Sequence, residues 1–280
     1  MRRQLIVGMP ASGKSTFIAA LRHLLIADEV VTELELTALS DDESHINALE
    51  ADWLACREVQ RTKTATEGWV EFQVRNRATG SKAVLSVPDL RGETFEQPLC
   101  AGRCGRELYD ALGGADALLL FTNADRPDDA GLISDFNDML DDDEPAVGRK
   151  PRRKPKPVPF DPMAMPEETK VVEFLQMANR RPLKPRLRRI GIVISAWDVV
   201  SGGVTPENWF AERRPMIDQF LSNNADLWEV RLYGVSAIGG KLPRDRKKLD
   251  RMKPSERIIL VGEQTTAHDL TCPLSWLGAA

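Results

Sequence analysis

The sequence predicts an α/β fold on a doubly wound, largely parallel sheet, and three observations predict it. Residues 4–7 make a short apolar strand that runs into a glycine-punctuated turn and then a segment of helical spacing. Residues 116–121 and 189–195 are near-continuous apolar runs of strand length, the pattern of strands covered on both faces. Helical segments lie between these strands, as crossover connections between parallel strands require.

Phe17, Ile18, Leu21, Leu24 and Leu25 recur at helical spacing and predict a helix over residues 14–27. Ser40-Asp41-Asp42-Glu43 reads as a capping box, and Ile46, Leu49, Trp53, Cys56 and Val59 place a second helix behind it. Residues 61–68 are polar and hold Thr62, Thr64 and Thr66. Residues 69–75 alternate and pair, through a turn at Thr79-Gly80-Ser81, with a strand over 83–87. Residues 103–112 read as a helix stopped by Gly113-Gly114, ahead of the strand at 116–121. Helical spacing returns over 167–180 and is followed by the strand at 189–195. Thr205-Pro206 is an N-cap with a first-turn proline, opening a helix that carries Trp209, Phe210, Met216, Ile217 and Phe220. A strand over 230–236, a charged loop over 241–253, an edge strand over 258–261 and a closing helix over 270–277 follow.

An acidic run at 138–144 and a basic, proline-rich run at 149–159 cannot build a core. The expectation is a single domain over 1–280 with a disordered, charged insertion at about 140–162. The chain's 38 Lys and Arg against 42 Asp and Glu give a net charge of −4, which argues against a general nucleic-acid binder. No signal peptide opens the chain at Met1-Arg2-Arg3, and no apolar run reaches bilayer length, so a cytoplasmic protein is expected. Cys56, Cys100, Cys104 and Cys272 lack zinc-site spacing and read as reduced thiols, and His23, His45 and His268 form no triad pattern.

Gly8-Met9-Pro10-Ala11-Ser12-Gly13-Lys14-Ser15 matches G-x-x-x-x-G-K-[ST] in the strand–loop–helix context that this motif needs. Gly8 and Gly13 let the backbone wrap closely around phosphate oxygens, with amide N–H groups and the positive end of the following helix facing them. Lys14 is placed to reach the β- and γ-phosphates of a nucleotide and Ser15 to ligate Mg2+; Pro10, Ala11, Ser12 and Thr16 complete the candidate phosphate site. This loop alone does not separate an NTP switch from a small-molecule kinase.

Later residues bear on that choice. Pro88-Asp89-Leu90-Arg91-Gly92-Glu93 follows the hairpin: Asp89 suits a magnesium-bound water, the Gly92 N–H an approaching γ-phosphate, and Glu93 stands where a side chain orients attacking water. Asp198, at the end of the strand over 189–195, suits the paired donors of guanine N1–H and its 2-amino group, which adenine lacks. Ser236-Ala237 turns after the next strand, where a backbone N–H can meet the guanine 6-oxo group.

This order of motifs resembles the TRAFAC class of GTPases, and within it the bacterial double-GTPase type, through the form of Pro88–Glu93, the long helix before the first switch and the segment Pro273-Leu274-Ser275-Trp276-Leu277. The resemblance covers nearly the whole chain apart from residues 138–159. It implies an α/β, three-layer P-loop NTPase fold of the Ras-like kind, with a mixed, mostly parallel central sheet. It implies GTP and GDP as ligands, Mg2+ as cofactor, a protein effector or activating partner, and a role in bacterial multi-component or defence systems. It also implies a switch-one threonine on the metal; counting back from the Thr79-Gly80 turn favours Thr64 or Thr66, with Thr62 third.

Two positions depart from the class. The guanine-reading motif [N/T]-K-x-D has Ser195 and Ala196 in its first two places, so only Asp198 stands and the lysine that packs over the base is missing. Pro10 replaces a common glycine beside the γ-phosphate and removes one N–H. In the expected mechanism Lys14 and the loop amides hold the phosphates, and Ser15, Asp89 and a switch-one threonine hold the metal. Glu93 accepts from water but repels the γ-phosphate, so unassisted turnover is expected to be slow; Arg91, Arg103, Arg106 or a partner's arginine would offset that charge. Two alternatives fit the phosphate loop. One is a kinase acting on a nucleotide or polynucleotide, using Asp28 or Glu29 and a lid at residues 149–156; the other is an adaptor that holds nucleotide without hydrolysis.

Overall fold

The computed structural model describes residues 1–39, 44–58, 69–87, 93–126, 159 and 161–279. Within them eight strands form one sheet: β1 (Arg2–Gly8), β2 (Leu34–Leu39), β3 (Val70–Asn76), β4 (Lys82–Val87), β5 (Ala117–Asn123), β6 (Arg188–Ser195), β7 (Trp228–Ser236) and β8 (Ile259–Gly262). Their order is β2-β3-β4-β1-β5-β6-β7-β8. The five strands from β4 to β7 in that order are parallel, and the pairings β2–β3, β3–β4 and β7–β8 are antiparallel. The sheet is thus mixed and mostly parallel, as the resemblance implies.

Alternation along the central strands divides the core in two. On β1, Leu5 and Val7 enter one apolar cluster and Ile6 the other; on β5, Leu118 and Leu120 oppose Leu119 and Phe121. The first face is covered by α1 (Lys14–Ala27), α2 (Ser44–Leu54) and the closing helix, Thr271–Gly278. The second is covered by α3 (Glu93–Ala101), α4 (Arg106–Gly114), α5 (Glu167–Ala178), α6 (Pro206–Arg213) and α7 (Pro215–Asn223). A one-turn helix, α8 (Arg246–Leu249), sits in the charged loop, and the closing helix is α9. Two clusters on either side of one sheet make three layers.

Several expectations change. β2 has no counterpart in the sequence reading; Leu34 and Leu36 alternate, but the register with β3 shifts between Leu36 and Ala38 and Leu39 falls out of phase, which breaks the simple period. The helix expected over residues 103–112 is α4, and a separate α3 precedes it. Gly102, at φ 62°, ends α3, and extended Gly105 opens α4. The helix after Thr205 is two helices. Pro215 restricts Arg214 to φ −135° and ψ 51°, and the chain turns there. Thr205 does cap α6, accepting from the Asn208 N–H at 3.3 Å. The capping box at Ser40–Glu43 and most of the expected charged insertion lie outside the described residues.

Candidate functional site

Parallel strands end together, and here four of them end on one cavity of about 570 Å³. The loop after β1 forms one wall, with Pro10, Ala11, Ser12, Gly13, Lys14, Ser15 and Thr16 lining it. Asn123 and Asp125 enter from the end of β5, Ser195, Ala196 and Asp198 from β6, and Ser236, Ala237 and Lys241 from β7.

The loop's carbonyls are all engaged. Lys14 Nζ donates to the carbonyls of Gly8 and Met9, each at 2.8 Å, and to Ser12 Oγ at 3.2 Å. Arg126 donates to the Pro10 carbonyl, Asn123 Nδ2 to that of Ala11 at 3.1 Å, and Ser195 Oγ to that of Ser12 at 2.8 Å. The Phe17 N–H takes the Gly13 carbonyl at 3.1 Å as α1 begins. In a planar trans peptide the following N–H points opposite to the carbonyl. The Pro10 and Ser12 carbonyls are held from neighbouring strands, so the N–H groups of Ala11 and Gly13 point the other way; the Ser12 N–H closes a turn on the Met9 carbonyl at 3.3 Å, and α1 adds the N–H groups of its first turn, with no side chain capping them.

The two glycines are required by close approach. A Cβ on Gly8 would lie 2.8 Å from Ser12 Oγ and 3.0 Å from Phe121 Cβ. On Gly13, at φ 95°, it would lie 2.6 Å from Ser195 Cβ. Gly8 thus shapes the loop from beneath and does not itself line the cavity. Lys14 is buried, and burial pulls its ammonium down to about 7; the neighbouring Glu167 carboxylate opposes that fall and Arg126 adds to it.

At the far end of the cavity the Ser236 hydroxyl donates to Asp198 Oδ1, and the Gly239 N–H donates to Ser236 Oγ at 3.0 Å. Trp53 Nε1 holds the Ala237 carbonyl at 2.7 Å, fixing the turn after β7. Ala196 stands at φ 55° in the left-handed region and gives the chain the sharp turn that carries Asp198 to the cavity. Trp197 is buried against Trp209, ring centroids 6.3 Å apart, and lies across Gly234 of β7, where a Cβ would come within 2.3 Å of the indole. Phe17, Phe121, Val193 and Val235 make an apolar floor between the two polar ends.

Ser15 is half-buried on the first turn of α1 and brings its hydroxyl to the cavity wall. No group of three or more His, Cys, Asp or Glu side chains gathers among the described residues. One hydroxyl beside a phosphate-shaped loop suits Mg2+, which keeps waters and takes phosphate oxygens in place of an all-protein cage.

The structure therefore gathers Lys14, Ser15, Thr16, Asp198, Ser236 and Ala237 on one cavity. Thr62, Thr64, Thr66, Asp89, Arg91 and Gly92 lie outside the described residues, and of Glu93 only the backbone, which starts α3, is described. Arg103 and Arg106 are not at this cavity. They border a second one, of about 620 Å³, between α3, α4 and α5, and Arg106 pairs with Asp110 on its own helix at 3.5 Å. Arg126 donates to the phosphate loop and is held also by Glu167 at the start of α5, and Arg57 lines the same cavity. Neither it nor Asn123, Asp125 or Lys241 carries a spacing signal. Lys241 Nζ lies 3.4 Å from Asp125 Oδ2 at the cavity mouth.

The model of the family Double-GTPase 1 matches residues 5–277. A crystal structure of the S. cerevisiae Ski7 GTPase-like domain, bound to GTP, is similar at a TM-score of 0.40 and 14% sequence identity. That similarity covers 85% of this chain and 43% of the other, so the chain spans less than half of that structure's length. No curated protein matches the chain.

Proposed function

The chain belongs to the Double-GTPase 1 family, and we propose that it is a switch that binds guanosine di- and triphosphate with Mg2+ and hydrolyses the triphosphate. One observation carries the reading: a single cavity runs from the phosphate loop and the first turn of α1 to Asp198. An anion is favoured at the first end and a purine with paired N–H donors at the second.

In this reading Lys14 and the amides of Ala11 and of Gly13 to Thr16 hold the phosphates, and Ser15 holds Mg2+ together with Asp89 and Thr64 or Thr66. The ion supplies charge neutralisation on the phosphate oxygens. Asp198 accepts from guanine, oriented by the Ser236 hydroxyl, and the Ala237 turn meets the 6-oxo group. Glu93 orients water, with Arg91 near it in sequence. Its charge repels the γ-phosphate, so turnover is slow without a partner. The γ-phosphate orders the segments around residues 61–68 and 91–104, and a protein partner reads that order. Residues 1–280 act as one domain in this reading, in a bacterial multi-component or defence setting and in the cytoplasm. Among the described residues no helix is long and apolar enough to cross a membrane.

Titration with GDP, GTP and ATP in the presence of Mg2+, followed by phosphate release, tests the proposal. Guanine nucleotides are expected to bind in preference to ATP, with slow release of phosphate. ATP binding without GTP binding would favour a kinase, and guanine binding without turnover, even with cell extract, an adaptor.

A further inference from the structure

Arg126 sits at the end of the β5 segment and makes two contacts of different kinds. Its guanidinium donates to the Pro10 carbonyl in the phosphate loop and to the Glu167 carboxylate of α5. The pair is largely shielded: Arg126 is 31% exposed and Glu167 15%. Glu167 in turn is fixed by its helix. One turn on, buried Lys170 donates to Glu96 of α3 and to the Met163 carbonyl, each at 2.7 Å, and Glu168 accepts the Met216 N–H at 2.8 Å. The carboxylate that holds Arg126 is thereby anchored against two other helices.

The Pro10 carbonyl and the Ala11 N–H belong to one peptide plane and point in opposite directions. Pro10 has no N–H of its own, so the Ala11 amide is the one this stretch of loop can offer. Ala11 also stands at φ 57°, a region an alanine side chain avoids, so the plane needs an outside hold to stay there. A charged donor on the carbonyl is a strong one.

We propose that Arg126 is a positioning residue for the phosphate loop: by gripping the Pro10 carbonyl it aims the Ala11 N–H at the terminal phosphates of a bound guanine nucleotide, with Glu167 keeping the guanidinium in place. The proposal rests on the reading of this cavity as a nucleotide site. Ser195 does the same for the plane that carries the Gly13 N–H, but as a neutral donor, so Arg126 is the stronger of the two grips; the Ser12 N–H between them is bonded to the Met9 carbonyl at 3.3 Å.

The test uses the full chain with Arg126→Gln, Arg126→Lys and Glu167→Gln, titrated with GDP, GTP and ATP and followed by the Ala11 amide resonance. Arg126→Gln is expected to weaken GDP and GTP binding by about tenfold. Its GTP-over-ATP ratio should stay unchanged, because the Asp198 end is untouched. Arg126→Lys should recover most of the loss, and Glu167→Gln should show a smaller one. In the wild type the Ala11 amide should move downfield on adding GDP, and in Arg126→Gln it should move little. Wild-type affinity and an unaltered Ala11 shift in Arg126→Gln would overturn the proposal alone. A wild-type chain that binds no guanine nucleotide would overturn the functional reading with it. If the melting temperature shows that Arg126→Gln does not fold, Arg126→Lys and Glu167→Gln decide: a loss in Glu167→Gln with an unmoved GTP-over-ATP ratio supports the proposal, and no loss in either overturns it.

Discussion

The Ser195 hydroxyl donates to the Ser12 carbonyl at 2.8 Å, across 183 positions of sequence. The end of β6 is pressed against the phosphate loop at this point, and Gly13 has no room there for a methyl group. Ser195→Ala removes one hydrogen bond and leaves the Ser12 carbonyl without its partner. GDP affinity should fall about fivefold, from ~1 kcal/mol. Gly13→Ala adds a clash to a positive φ and should abolish binding in the same titration.

Lys14 gives nucleotide binding a pH dependence. Burial leaves its ammonium near pKa 7 in the free protein, whereas a phosphate beside it would hold the proton. Below pH 7 both states carry the proton and affinity should be flat. Above it the free protein loses the proton, so binding must take one up, and affinity should fall by up to about tenfold per pH unit. Calorimetry in buffers of different ionisation enthalpy should show uptake near zero at about pH 6 and approaching one proton at about pH 8.5. Lys14→Ala should bind no nucleotide, and unchanged affinity would show the loop to be decorative.

Asp198→Asn exchanges an acceptor-only carboxylate for an amide that presents donors to guanine's donors. The GTP-over-ATP preference should fall about 100-fold, from ~3 kcal/mol for two lost charge-assisted bonds. Competition of ATP against bound GDP measures it, and an unaltered preference would refute the base-reading role.

The buried Lys170–Glu96 pair should dominate the stability of the α3–α5 contact. Their side chains are 8% and 14% exposed, so Lys170→Ala leaves a shielded carboxylate and the Met163 carbonyl unpaired. Denaturant unfolding should show a loss of about 3 kcal/mol, and Lys170→Met with Glu96→Leu should recover most of it. A double variant no better than the single one would place the cost elsewhere.

The phosphate loop and the central strands were readable because each is local: a motif of fixed spacing and apolar runs of strand length. The break at Arg214 was readable in principle, since Pro215 constrains its neighbour, but apolar spacing on both sides masked it. β2 carries no clear period in the sequence, because its register shift interrupts a two-residue alternation. Arg126 was beyond reach for a different reason. Its partner Pro10 lies 116 positions away, and no period or motif ties an arginine after Asn123-Ala124-Asp125 to a carbonyl in another loop. Arg103 and Arg106 are nearer in sequence to the expected switch, yet the α3–α4 connection and the start of α4 face a different cavity. Proximity along the chain misleads where crossovers carry neighbours apart.

Gly234 and Trp197 share one volume: the indole fills the space that a side chain on β7 would take, and Asp198 follows directly after it. A mutation at either position alone is therefore penalised in a coupled way, since a methyl group at 234 evicts the ring and a smaller residue at 197 leaves a void. Related chains should change these two positions only together, exchanging bulk for bulk. Their joint drift would shift the strand end from which Asp198 departs without any alteration of the acidic residue itself.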